Sequence, residues 1–174
     1  MNIGKRDIEK RWSFIKKLLQ DSGVEVSKRI VLDIGCNAGM MLSCALAEGT
    51  LWGLGWDSSS VAIQAKRLNS VLGNTRVNFF GANLSESYCI SRDIPERFNP
   101  LLNNSIIFYL AVWKHFGFMS DLAKIPWKAI VFEGHDGDTF EKLSDKLLKI
   151  QSEWNCRITV KSEIRDGDCG GQDH

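Results

Sequence analysis

The stretch Asp33-Ile34-Gly35-Cys36-Asn37-Ala38-Gly39 places a carboxylate directly before a glycine-punctuated turn. It follows Ile30-Val31-Leu32 and leads into the helix-compatible run Met40-Met41-Leu42-Ser43-Cys44-Ala45-Leu46-Ala47. Strand, tight turn and helix N-terminus together present backbone N–H groups to a ligand at the carboxyl edge of an α/β sheet. The spacing excludes some ligands. A dinucleotide fingerprint starting at Gly35 needs glycine at positions 37 and 40, where the chain has Asn37 and Met40. No G-K-[ST] follows, so the turn is not a P-loop. An acid at position 33 repels phosphates but suits a ligand that carries an amino group and a sulfonium.

A second acid stands in a matching place. Leu51-Trp52-Gly53-Leu54-Gly55-Trp56 reads as a strand that ends at Asp57, and Ser58-Ser59-Ser60 opens the next helix. A strand-end acid roughly 20 residues past the glycine turn is the generic ribose-binding arrangement. An ionised carboxylate is acceptor-only and takes two O–H donors at once. With these residues on the page, the segment Val31 to Gly39 resembles motif I of the class I S-adenosylmethionine-dependent methyltransferases. The resemblance implies S-adenosyl-L-methionine as cofactor, held by Asp33, Gly35, Cys36, Asn37, Gly39, Asp57, Ser58, Asn83, Leu84 and Leu110. In that family the acid after the second strand holds the ribose hydroxyls, and a polar residue after the third meets the adenine amino group. Asn83 occupies that last place, with Leu84 offering its backbone N–H; plain turn chemistry is the other reading of Asn83.

Two further stretches could carry chemistry. Leu110-Ala111-Val112-Trp113-Lys114-His115-Phe116 follows the fourth strand, in the loop that faces the transferred methyl group in this fold. His115 is the candidate catalytic base, because imidazole is the side chain whose ordinary titration range spans neutrality. The alternative is a histidine that orients the loop, and Lys114 reads as solvent-exposed. Glu133, His135, Asp136 and Asp138 cluster after the fifth strand. Glu133 and His135 read as substrate contacts, Asp138-Thr139 as a helix cap, and a hard-cation site is a third reading of the same cluster. The expectation carried forward includes no metal.

These residues need a scaffold, and the chain alternates to supply one. Helical spacing covers 5–21, strands are expected at 29–34, 51–56, 75–80, 105–111 and 127–132, and helices near 38–48, 59–72, 118–124 and 138–152. The 59–72 helix is expected to pack through Val61, Ala65, Leu68 and Leu72. Residues 85–104 read as loop plus a short helix, and Arg157 to Ile164 as a half-exposed strand. The fold class is therefore α/β: a doubly wound, Rossmann-like, parallel methyltransferase sheet. Its last antiparallel strand is expected to be missing, since residues 165–174 have turn composition. The chain reads as one domain, 1–174, cut short at its C-terminus, with the helix in 1–24 lying over the cofactor cleft.

Composition narrows the class. The 174 residues hold 44% hydrophobic and 25% charged side chains with a net charge of +1, giving no global pull toward nucleic acid or membrane. No apolar run is long enough to span a bilayer, and no signal sequence is evident. Five cysteines without a C-x-x-C pair suit a reducing compartment, so the expected location is cytoplasmic. Lys5, Arg6, Lys10, Arg11, Lys16 and Lys17 admit an RNA-facing surface, but the interleaved acids Asp7, Glu9 and Asp21 favour a solvated amphipathic helix. The expected activity is methyl transfer to an O or N acceptor on a small-molecule or glycan-like substrate. RNA as acceptor, or a non-catalytic S-adenosylmethionine-binding domain, are the alternatives. Nothing in the residues names an oligomeric state.

Overall fold

The computed structural model describes residues 7–135 and 138–153. Its elements are α1 (Ile8–Asp21), β1 (Ile30–Ile34), α2 (Met40–Ala47), β2 (Trp52–Asp57), α3 (Ser59–Val71), β3 (Val77–Gly81), β4 (Ile106–Leu110), α4 (Trp113–Phe116), β5 (Ala129–Glu133) and α5 (Phe140–Glu153). Short 3₁₀ helices at Ile90–Arg92, Glu96–Asn104 and Ser120–Lys124 fill the connections. The strands pair in the order β3-β2-β1-β4-β5, and every pairing is parallel.

That order follows from burial. β1 and β4 are buried at every position and lie at the centre, as near-continuous apolar runs must in a sheet covered on both faces. Strand alternation sends Ile30, Leu32, Ile34, Ile107 and Tyr109 to one face. Val31, Ile106, Phe108 and Leu110 go to the other. The second face is covered by Trp12, Ile15 and Leu19 of α1, Met41, Leu42 and Ala45 of α2, and Ala62 and Ala65 of α3. Each large apolar side chain buried there contributes about 1.5–3 kcal/mol. Trp12 meets Phe108 edge-on, with ring centres 6.2 Å apart, and so fixes α1 over β4. Asp7 starts that helix by accepting the N–H of Lys10 at 3.0 Å. The first face packs against Ile90, Phe98, Leu102 and Leu122 of the 3₁₀ segments and Ile150 of α5. The chain reverses its winding between β1 and β4. Ligands of doubly wound sheets bind outside the carboxyl ends of the strands at such a switch point.

Several expectations need correcting. The buried face of α3 is Ala62, Ala65 and Asn69, while Leu68 and Leu72 are 37% and 52% exposed. Small alanines let the helix lie close on the sheet, and a fully hydrogen-bonded amide replaces an apolar side chain beneath it. β3 begins at Val77 rather than Thr75. Residues 113–116, read as loop, form α4, and the helix expected at 118–124 is a 3₁₀ helix from Ser120 to Lys124. Residues 85–104 hold two 3₁₀ helices, the second one accommodating Pro100. The strand expected at 157–164, the tail 165–174, Lys5, Arg6 and Asp136 lie outside the described residues. No helix among the described residues is long and apolar enough to cross a membrane.

Candidate functional site

The glycine turn leaves β1 in three left-handed steps. Gly35, Asn37 and Gly39 have φ of +75°, +48° and +77°. The N–H groups of Gly35 and Cys36 both donate to the Trp56 carbonyl, at 2.8 and 3.0 Å, which ties the turn to the end of β2. Glycine is required at 35 for room as well as for φ, since a Cβ there would lie 2.5 Å from Cγ1 of Val112. Gly39 N–H donates to Cys36 O at 2.9 Å, and α2 starts at the next residue.

Asp57 stands at the carboxyl end of β2 and faces this turn. Its Oδ2 accepts the Asn37 N–H at 2.8 Å and its Oδ1 the Ser58 N–H at 2.7 Å. A carboxylate offers about four acceptor positions. One donor on each oxygen therefore leaves capacity for two more. Ala82 N–H donates to Asp57 O at 2.8 Å, which sets exposed Asn83 and half-buried Leu84 beside the same strand end. Sequence reasoning expected this grouping, and the backbone assembles it.

Asp33 is only 3% exposed, and burial pushes its carboxyl up to about 7. The Arg11 guanidinium opposes that rise and the Asp57 carboxylate adds to it. Burial first, and then the charges of Asp33 and Asp57, push the Cys36 thiol well above its ordinary range, so it packs as an inert small group.

The other wall comes from β4 and β5. Leu110 is buried at the end of β4, and Ala111 turns the chain with φ +55° while its N–H donates to the Glu133 carbonyl at 2.9 Å. His115 lies on the exposed side of α4, with its ring centre 5.1 Å from that of His135 at a steep angle. His135 Nε2 accepts the Lys114 N–H at 3.3 Å. Asp138 accepts the His135 N–H at 2.8 Å, Trp113 Nε1 at 3.2 Å and Lys114 Nζ at 2.7 Å. Burial alone would raise the Asp138 carboxyl, but these donors hold it below the usual carboxylate range. The side chain expected to cap a helix thus also anchors α4, and Lys114 is held by it. No cluster of three or more His, Cys, Asp or Glu side chains among the described residues is arranged to hold a metal ion.

Two residues escaped the sequence reading. Arg11, grouped with a solvated basic face, donates through Nε and Nη2 to Glu133 at 2.9 and 2.6 Å. Asn69, in the last turn of α3, lies beneath the glycine turn, where its amide donates to Ala38 O at 3.1 Å. Neither position carries a local motif.

No family model matches the chain, and no curated protein does. Solved structures do resemble it. A SAM-dependent methyltransferase from Aquifex aeolicus is 15% identical, with a TM-score of 0.58 over 89% of this chain and 82% of its own. The ribosomal protein L11 methylase of Lactobacillus delbrueckii subsp. bulgaricus is 14% identical, with a TM-score of 0.58 over 89% and 72%. The Trypanosoma brucei PRMT1 enzyme–prozyme complex with AdoHcy is 19% identical, with a TM-score of 0.41 over 58% and 28%. This chain thus spans little more than a quarter of the length of that last protein. The first two likenesses establish the fold: the sheet and its flanking helices form the Rossmann-like α/β framework that these two methylases share.

Proposed function

We propose that this chain, built on the class I methyltransferase fold, binds S-adenosyl-L-methionine and transfers its methyl group to an O or N acceptor. The observation that carries the reading is Asp57, held between the N–H groups of Asn37 and Ser58 with acceptor capacity left on both oxygens. A vicinal diol is the ligand group that fits two such positions. The cofactor also carries an ammonium and a carboxylate. Asp33 is the buried acid available to the ammonium, and Arg11 is the cation beside it for the carboxylate. Gly35 and Gly39 keep the turn free of side chains, and Asn83 with Leu84 serves the adenine edge. α1 covers this end of the sheet through Trp12 and Arg11.

When bound, the cofactor supplies an electrophilic methyl on a sulfonium, so the protein's task is mainly to position the acceptor and exclude water. His115 takes the proton that an acceptor O–H or N–H loses, and its imidazole returns that proton to solvent from the exposed side of α4. Glu133 and His135 contact the acceptor from the end of β5. A small-molecule or glycan-like acceptor suits this wall better than RNA. The described cations of α1 are matched by carboxylates: Lys10 by Asp7, Arg11 by Glu133, Lys16 by Glu48 and Lys17 by Asp21. Little net positive charge is left on that helix for a phosphate backbone. Residue chemistry and the reducing-compartment cysteine pattern favour the cytoplasm.

Titration calorimetry with S-adenosylmethionine and S-adenosylhomocysteine tests the first step, and saturable binding of both is expected. Absence of binding overturns the reading. A methyl-transfer assay on RNA and on small-metabolite pools then tests the acceptor. Binding without turnover on any pool would favour a non-catalytic adenosyl-binding domain.

A further inference from the structure

We infer that Asn69 is a positioning residue for the cofactor turn, holding the peptide between Ala38 and Gly39 in place from beneath through its side-chain amide. The inference rests on the reading of that turn as the cofactor's seat.

Asparagine is a poor helix-interior residue, because its side chain competes for backbone hydrogen bonds. Yet Asn69 sits in the last turn of α3 at 1% exposure, buried rather than turned to solvent. Its Nδ2 donates to Ala65 O at 3.0 Å, one turn back in its own helix, and to Ala38 O at 3.1 Å in the glycine turn. Its Oδ1 accepts from Asn74 Nδ2 at 2.8 Å and faces Ser43 Oγ of α2 at 3.0 Å. Asn74 Nδ2 also donates to Ser43 Oγ at 3.0 Å, and Asn74 N–H returns to Asn69 O at 2.9 Å. Both donors and one acceptor position are thus engaged, and the second acceptor position shares the single Ser43 hydroxyl proton with Gly39 O at 3.2 Å. The orientation is forced, since only the nitrogen can face two carbonyls.

The Ala38 carbonyl lies between two left-handed residues, Asn37 and Gly39. Pinning it toward α3 fixes the plane of the peptide that follows, because a peptide is planar and its C=O and N–H point in opposite directions. That peptide joins the Asn37 N–H bonded to Asp57 with the first turn of α2. The buried amide therefore couples α3, α2 and the turn into one polar unit. An aspartate at 69 would have the same shape but would set oxygen against two carbonyls.

The test compares the whole chain with Asn69→Asp and with Asn74→Ala, which removes the donor to Asn69 Oδ1 and to Ser43 Oγ but leaves both Asn69 bonds to carbonyls in place. Amide hydrogen exchange without ligand is read at residues 37–43 and at the central strand 106–110, and S-adenosylhomocysteine affinity by calorimetry. Asn69→Asp should speed exchange about tenfold at 37–43 relative to 106–110 and weaken binding by a similar factor, as expected for one or two lost buried hydrogen bonds. Asn74→Ala should act in the same direction, more weakly, and stands in if Asn69→Asp does not fold. Exchange that rises equally in both segments, or is unchanged at 37–43, overturns the inference. If the parent chain binds no S-adenosylhomocysteine, the cofactor reading fails while the exchange data still decide the role of Asn69 in the turn.

Discussion

Arg11 and Glu133 join the first turn of α1 to the last residue of β5, with both guanidinium contacts, at 2.6 and 2.9 Å, falling on the same carboxylate oxygen. The same guanidinium lowers the proton affinity of buried Asp33. Arg11→Met keeps an aliphatic stem and removes the charge, so Asp33 should titrate above its present value of about 7. Carbon NMR of the Asp33 carboxyl measures this, and an unchanged titration would refute the coupling. The side chains are 20% and 34% exposed, so a double-mutant cycle with Glu133→Gln should return only about 1 kcal/mol between Arg11 and Glu133.

Asp33 also fixes a pH dependence. Its folded-state value is raised from 3.8 to about 7, so the folded state prefers the protonated acid. Stability from this group is fully present below about pH 4 and is lost as the pH rises toward 7. Asp33→Asn has no proton to lose. Its melting curve should match the parent near pH 4 and lie above it at pH 8, by a few kcal/mol in order of magnitude. The same variant should bind S-adenosylhomocysteine more weakly, because the acid proposed for the ammonium is gone. Parallel stability profiles across pH 4–8 would contradict the assignment.

Asp57→Ala removes the acceptor proposed for two hydroxyls, each worth about 1.5–3 kcal/mol when the acceptor is charged. Calorimetry should show cofactor affinity falling by more than tenfold. The Asn37 and Ser58 N–H groups lose a partner as well, so a melting curve accompanies the titration. Wild-type affinity in this variant would sink the ribose assignment.

Gly35 is proposed to keep the cofactor turn free of side chains, and the geometry adds a reason internal to the fold. A methyl group at 35 would meet Val112 Cγ1 at 2.5 Å, on a residue with φ +75°. Gly35→Ala should therefore lower the melting temperature even without ligand. In a Val112→Ala background the clash is relieved, leaving the left-handed backbone cost of about 1–2 kcal/mol. Equal destabilisation in both backgrounds would show that Val112 is not the obstruction.

The legible parts of this chain were those set by local pattern. β1, β2 and β4 are apolar runs, and Asp33 and Asp57 stand at strand ends, so their place in the fold could be read directly. The packing face of α3 was read only in part: Ala65 is buried as expected, but Leu68 and Leu72 are exposed, and Ala62 and Asn69 complete the packing in their place. Periodicity weighs size and polarity, and it cannot see that Asn69 finds partners in the glycine turn, in α2 and at Asn74 as well as in its own helix. α4 is four residues long, too short for any periodic signal, and Lys114 N–H is held by a histidine twenty-one positions further on. Arg11 differs from its basic neighbours only in what β5 places opposite it.

The histidine pair offers a way to test chemistry against support. His115 is exposed on α4, while His135 accepts the Lys114 N–H and so helps to hold that helix in place. If His115 is the base, His115→Ala should reduce kcat by roughly 10²–10⁴. Its melting temperature and its affinity for S-adenosylhomocysteine should stay near those of the parent. His135→Ala should lower both kcat and melting temperature, because α4 loses a contact as well as a neighbour for the acceptor. The two rings are 5.1 Å apart, so their effects on kcat should be less than additive in the double variant. A His115→Ala chain that loses stability and cofactor affinity along with turnover would show instead that His115 orients the loop.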